Sequence, residues 1–305
     1  MESRRSFLKK LAIGGGLLSV NAFPFEALAA QDFVLTVLHT NDTHSRLEPF
    51  PKDDKNYPGQ GGIVARAAAI EAVRKQQEHV LLLDAGDIFQ GTPYFNEYKG
   101  EAEIKAMSMM GYDCATMGNH DFDIGIDGFL KQLPHAKFPF VVANYDFSKT
   151  ALHQKVKPYI VIKKGPLRIG VFGLGVQLYG LVPKENYKGI WYNDPITTAI
   201  DVVYKLRRKE HCDLVICLSH LGHSYTTNKV SDLVLAANTQ DIDLIIGGHT
   251  HTFLDEPVVV QNRVGKPVLV NQVGWAGLRL GRIDFIFNAQ KKLKATKSNT
   301  VILGK

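Results

Sequence analysis

The chain has 305 residues, enough for one large or two small domains with a buried core. Its apolar and charged shares, 45% and 22%, exclude a disordered or collagen-like chain. The formal charge of +6 falls to +4 once residues 1–29 are set aside, because that stretch holds Arg4, Arg5, Lys9 and Lys10 against Glu2 and Glu26; a mild surplus without a basic run excludes a nucleic-acid reader. The chain opens on Ser3–Lys9 (SRRSFLK), continues through a weakly apolar stretch from Leu11 to Val20, and reaches Ala27-Leu28-Ala29. A charged region, a short apolar region and a small-x-small site predict a signal peptide over residues 1–29, too short to span a membrane. One domain over residues 30–305 is expected to remain, and with no cysteine near the cleavage point no lipid or membrane anchor is expected.

Beyond the leader, strand and helix patterns alternate. Phe33–Thr40 reads as a strand, and Gly61–Glu78 as a helix with Ile63, Val64, Ala67, Ile70 and Val73 on one face. Val80–Leu83 is a continuous apolar strand, which predicts a sheet covered on both sides. A helix around Glu101–Met110 precedes strands at Asp113–Met117, Phe140–Ala143, Val156–Ile162 and Leu167–Leu174. Asp194 reads as the cap, and Pro195 as the first turn, of a helix running to about Lys209. Strands Leu214–Leu218, Leu244–Ile246, Val268–Asn271 and Arg279–Phe287 follow. The loop Leu47–Gln60, with three prolines, is expected to form a mobile rim. The order predicts a layered α/β domain with central sheets flanked by helices. Cys114, Cys212 and Cys217 sit in or beside apolar runs and read as small buried hydrophobes; a disulfide from Cys114 to Cys212 or Cys217 is the alternative.

The polar residues fall at the ends of the apolar strands. Five clusters do so: His39-Thr-Asn-Asp42-Thr-His44, Asp84-Ala-Gly-Asp87, Gly118-Asn-His-Asp121, Ser219-His220-Leu-Gly-His223 and Gly247-Gly-His-Thr-His251. Ligands of open α/β sheets bind beyond the carboxyl ends of strands, so five loops converge on one crevice. Carboxylate, imidazole and amide donors suit manganese, zinc, cobalt or iron. A single histidine or aspartate at a strand end is ordinarily a surface or core residue, whereas five clusters predict a dinuclear site. Asp42/His44 and His249/His251 are two apart, and in an extended segment such residues point the same way. Two divalent ions against Asp42, Asp87 and a bridging hydroxide leave a formal surplus of about +1, and two metals about 3.5–4 Å apart fit a phosphoryl group.

Leu81–Pro93 (LLLDAGDIFQGTP), Tyr112–Gly125 (YDCATMGNHDFDIG) and Gly247–His251 (GGHTH) resemble the calcineurin-like metallophosphoesterases, and among them the 5'-nucleotidase catalytic domain, over about Leu35 to Phe287. The resemblance implies an α-β-β-α sandwich forming a single catalytic domain. It implies that Asp42, His44 and His251 hold one divalent ion, that Asn119, His220 and His249 hold a second, and that Asp87 bridges them. His120 is then the catalytic histidine and Asp123 its orienting partner, with in-line attack by metal-bound hydroxide on a small phosphoester, a nucleotide first among candidates. Asp121 reads as a surface or helix-cap carboxylate, Asp84 as a support of its turn, Asn41 as a support of Asp42 or a phosphate contact, His39 as structural, and His223 as a pocket or solvated loop residue. Residues Gly170–Gly175 read as strand-end packing rather than a phosphate loop.

Two departures qualify the resemblance. Ser45 stands where the family often has glycine, which alters the local turn. Extracellular 5'-nucleotidases of this type carry a second, base-stacking domain, so base recognition is expected from a separate nucleotide-binding polypeptide or to be absent in a broad-specificity enzyme. The competing readings are a cyclic-nucleotide or nucleotide-sugar phosphodiesterase, a sulfur-oxidising hydrolase relative, and a non-catalytic metal-holding subunit of an exported complex. The paired Arg4-Arg5 before Phe-Leu-Lys resembles a twin-arginine export signal, which implies a periplasmic destination.

Overall fold

A computed structural model describes residues 32–304; the leader, with Arg4 and Arg5, lies outside the described residues. Two mixed sheets face each other. The first is formed by β1 (Phe33–Thr40), β2 (Val80–Asp84), β3 (Cys114–Ala115), β12 (Arg279–Phe287) and β13 (Leu293–Ile302), in the order β13-β12-β1-β2-β3. The second holds β5 (Tyr159–Lys164), β6 (Leu167–Gly175), β8 (Leu214–His220), β9 (Leu244–Gly247), β10 (Val258–Gln261) and β11 (Pro267–Asn271), in the order β10-β11-β9-β8-β6-β5. A small ribbon pairs β4 (Tyr145–Asp146) with β7 (Trp191–Tyr192). The sheet centres are parallel: β1 with β2 and β2 with β3 in one, β6 with β8, β8 with β9 and β9 with β11 in the other.

The period-two alternation of the strands divides the core. Leu35, Val37, Leu81 and Leu83 point to the space between the sheets and meet Ile169, Val171, Ile216, Leu218, Leu244 and Ile246 from the other side. Leu38 and Leu82 point outward onto α1 (Ile63–Gln76), which brings Ile70 and Val73, and, once α2 (Pro93–Tyr98) has passed, onto α3 (Glu101–Met110), which brings Ile104 and Met107. On the opposite face, after α4 (Gly125–Gln132), α5 (Pro195–Arg208) and α6 (Asp232–Asn238) cover Phe172, Val215, Cys217 and Ile245. The layers are thus α-β-β-α, as the fully apolar strands require. Asp194 caps α5 as expected, accepting from the Thr197 amide at 2.8 Å. All three cysteines are free and buried. No described helix is long and apolar enough to cross a membrane.

Several expectations change. Residues 140–143 form no strand, because their backbone bonds are divided: Phe140 bridges to Ala115 of the first sheet, while Val142 donates to Lys157 and Ala143 to Gly173 of the second. β13 is polar and exposed, so it lacks the alternation that betrays a strand; it pairs along the edge of β12. The loop Leu47–Gln60 is folded back rather than free. Phe50 is buried against Ala276 and Leu278, its amide donates to the Gln60 carbonyl at 2.8 Å, and Asp54 accepts from the amides of Asn56 and Tyr57.

Candidate active site

The carboxyl ends of β1, β2 and β3 from one sheet meet those of β8 and β9 from the other. Each delivers its cluster: Asp42 and His44 beyond β1, Asp87 beyond β2, Asn119 and His120 beyond β3, His220 as the last residue of β8, and His249 and His251 beyond β9. The donor atoms of Asp42, His44 and His251 lie within 4.8 Å of one another, and so do those of Asp87, His220 and His249. Asp87 sits between the groups, its Oδ2 at 3.1 Å from His220 Nε2 and 3.9 Å from His44 Nε2.

These positions are reached in a way the spacing did not foresee. Asp42, His44, Asp87, His249 and His251 all have left-handed backbone, with φ of 50°, 48°, 54°, 72° and 52°. An extended segment would send residues two apart to the same ion; here His249 and His251 fall into different groups, while Asp42 and His44 share one. Left-handed non-glycine residues cost about 1–3 kcal/mol each and persist only where neighbours hold them. Here the Asp42 amide donates to the Gly86 carbonyl at 2.9 Å, the His44 amide to the Asp87 carbonyl at 3.1 Å, and the His249 amide to both Asp42 oxygens at 2.9 and 3.1 Å. Gly118 makes room for them, since a Cβ there would overlap Asp87 Oδ1 and lie 2.6 Å from the Asp87 nitrogen and from His220 Cε1.

The tautomers fit a cation. His220 Nδ1 lies 2.7 Å from the Ala85 carbonyl and therefore carries a proton, which leaves the buried Nε2, beside Asp87, as the atom that faces the site. His44 Nδ1 is held the same way between the Phe89 and Gln90 carbonyls, at 3.3 and 3.1 Å, which turns its Nε2 lone pair toward His251 Nε2 at 2.9 Å. Carbonyl-anchored imidazoles are the usual support of metal ligands. Asn119 Oδ1 is likewise buried and unpartnered. Burial disfavours a charged His220, but in the metal-free chain the carboxylates of Asp87 and Asp42 outweigh it and push its pKa up to about 10, so a divalent ion would take the place of the Nε2 proton those carboxylates favour. Burial also opposes the Asp87 charge, yet His220, His44 and His120 hold its carboxyl well below the usual range. Imidazole nitrogens and carboxylates converging in this way are what a divalent ion satisfies, by displacing the protons they otherwise share.

His120 stands beside the groups, its ring 5.3 Å from that of His44, partly exposed, with its amide donating to Asp87 Oδ1 at 2.8 Å. Its Nδ1 meets Asp123 Oδ2 at 2.8 Å, and that bond raises its pKa above the ordinary value against the effect of burial. The surrounding residues largely follow expectation. Asp84 supports its turn through Thr40 and Gly86, at 2.6 and 2.9 Å. Asn41 donates to Asp42 at 2.6 Å. His39 is wholly buried. His223 is nearly buried, its amide tied to the Thr250 hydroxyl at 2.9 Å. Asp121 is the correction: it is neither exposed nor a cap, but fully buried, accepting from the amides of Asp87, Ile88, Phe89 and Gly118 at 2.8–3.2 Å. Two residues were not foreseen. Trp275 stacks on His251 at 5.6 Å and 6°, and Gln272 holds the turn of His249; Gln272 follows the apolar run Val268–Asn271, so the strand-end rule would have marked it.

Comparison with known proteins agrees with this geometry. A trifunctional nucleotide phosphoesterase of Bacillus subtilis is 35% identical over 88% of this chain and 19% of its own length. The snake venom 5'-nucleotidase of Crotalus adamanteus is 33% identical over 95% of this chain and 52% of its own. The crystal structure of a 5'-nucleotidase precursor from Thermus thermophilus superposes with a TM-score of 0.81 at 34% identity, covering 89% of this chain and 55% of that one. The chain therefore spans about half the length, or less, of these relatives. The calcineurin-like phosphoesterase model matches residues 35–253, from β1 through the turn of His249 and His251, and the chain belongs to that family.

Proposed function

We propose that the chain is a metal-dependent phosphomonoesterase acting on 5'-nucleotides. The observation that carries this is the pair of three-residue donor groups drawn from both sheets, with Asp87 between them and the His120–Asp123 pair alongside. Asp42, His44 and His251 would hold one divalent ion and Asn119, His220 and His249 a second, with Asp87 placed to serve both. When bound, two divalent ions supply Lewis acidity, a water nucleophile at neutral pH and attraction for a phosphate dianion. His120 does the remaining proton work. With Nδ1–H given to Asp123, its Nε2 faces the substrate side, where it donates to the phosphoryl oxygens or protonates the leaving oxygen. Asp123 fixes the ring and supports its charge. Export by the twin-arginine route belongs to the same reading, resting on Arg4-Arg5.

The test is turnover of purified protein loaded with manganese, zinc or cobalt on AMP, UMP and an aryl phosphate. Phosphate release is expected, and equal kcat/KM for AMP and the aryl phosphate would show a site that reads the phosphate alone. H120N is expected to keep two metals per chain and lose about 10²–10⁴-fold in kcat. Full activity in H120N would refute its role, and two bound metals with no hydrolysis would leave a metal-holding subunit. The Bacillus subtilis relative is named a trifunctional nucleotide phosphoesterase, so more than one class of phosphoester belongs in the panel, 2',3'-cyclic AMP and UDP-glucose among them.

A further inference from the structure

Gln272 lies directly beyond β11, completely buried, and its side chain grips both arms of the turn that carries His249 and His251. Nε2 donates to the Gly248 carbonyl at 2.6 Å. Oε1 accepts from the Thr252 amide and from the Thr250 hydroxyl, the latter at 3.1 Å. The backbone closes the same frame: Leu254 donates to the Gln272 carbonyl at 3.1 Å and Gly274 to that of Thr252 at 2.9 Å. One residue further on, the Val273 amide donates to Asn41 Oδ1 at 3.0 Å, while Asn41 Nδ2 reaches both Asp42 Oδ2 and the Gly274 carbonyl at 2.6 Å. The segment after β11 therefore braces Asp42 at one end and the histidine turn at the other.

The turn requires such a brace. His249 and His251 both have left-handed backbone, and a chain released from it relaxes toward extended conformations in which residues two apart point the same way. Both imidazoles would then compete for one ion, whereas the structure assigns them to different donor groups. Three side-chain hydrogen bonds from one buried amide fix the peptide group before His249, the peptide group after His251 and the Thr250 hydroxyl between them.

We propose that Gln272 is a positioning residue that sets the divergence of His249 and His251, so that one five-residue turn serves two metals. This deepens the two-metal reading above and rests on it. The test compares wild-type protein and Q272M, both stripped of metal by a chelator and titrated with cobalt(II), followed by calorimetry and visible absorption. Methionine keeps the volume and removes all three hydrogen bonds. Wild type is expected to bind two equivalents. Q272M is expected to bind at least one of the two about 10–100-fold more weakly, the usual effect of removing an outer partner of metal ligands, with an altered cobalt spectrum. Wild-type affinities and spectrum in Q272M overturn the proposal. So does a loss of thermal stability equal in metal-free and cobalt-loaded forms with affinities unchanged. If Q272M does not fold, Q272E decides by the same titration, since its second oxygen faces the Gly248 carbonyl instead of donating to it: weakened binding supports the proposal and unchanged binding overturns it. Fewer than two cobalt ions on the wild type would instead defeat the two-metal reading itself.

Discussion

His39 shows a titratable side chain that is wholly structural in this fold. It is paired across β1 and β12 with Gly281, where any Cβ would overlap the ring, and its Nε2 accepts from Asn271 Nδ2 at 3.0 Å. Burial lowers its pKa from 6.5 to about 3. The unfolded chain takes up a proton as pH falls below 6.5 and the folded chain takes it up only near 3, so this residue removes stability as pH drops through that window, by about 1.4 kcal/mol per pH unit at most. In chelator-treated protein, the urea midpoint of H39Q is expected to fall less steeply across that window than that of wild type; parallel curves would dismiss the assignment. His39, Asp84 and Asn41 were legible in sequence because their neighbours along the chain define a strand end. Asp121 was not. Three of its four partners are amides of another turn more than thirty residues away, and a carboxylate beside a histidine carries no local sign of where its oxygens will go.

At the scale of elements, Asp121 joins the turn after β2 to the turn after β3. Its two oxygens receive four backbone N–H groups, three from residues 87–89 and one from Gly118. Burial and the nearby Asp87 charge push its carboxyl up, and the amides pull it back. An asparagine there keeps one acceptor and turns an NH2 toward amides that need one. Bonds to charged groups are worth about 1.5–3 kcal/mol each, so D121N is expected to lose about 3 kcal/mol or more in equilibrium unfolding of the metal-free protein. A loss below about 0.5 kcal/mol would show the two turns to be held by other contacts. The strand ends that carry these turns were readable from apolar runs that stop at Asp, Asn and His. The segment 140–143 was equally apolar and misled, because a run of that kind records burial and not which sheet receives its backbone bonds.

Over the whole molecule, the donor set draws on both sheets, three strands of one and two of the other, so it exists only once the sandwich has closed. A site of this kind is loaded in the folded state, and the proposed twin-arginine route carries folded proteins. Replacing Arg4 and Arg5 together by lysine is expected to leave the protein, metal-loaded and active, in the cytoplasmic fraction; normal export of that variant would refute the route. The sequence by itself determined the layered α/β class, the positions of most long strands and the set of metal-type residues, because alternation, apolar runs and strand-end polar clusters are local properties of the chain. Only the tertiary structure decided how those residues divide: left-handed backbone at five of them sends His249 and His251 to different groups, and contacts between strand ends, from Ala85 of the first sheet to His220 of the second and from Gln272 to Gly248 within the second, set which ligand atoms face one another. Such directions depend on residues far apart along the chain, and no spacing in the sequence records them.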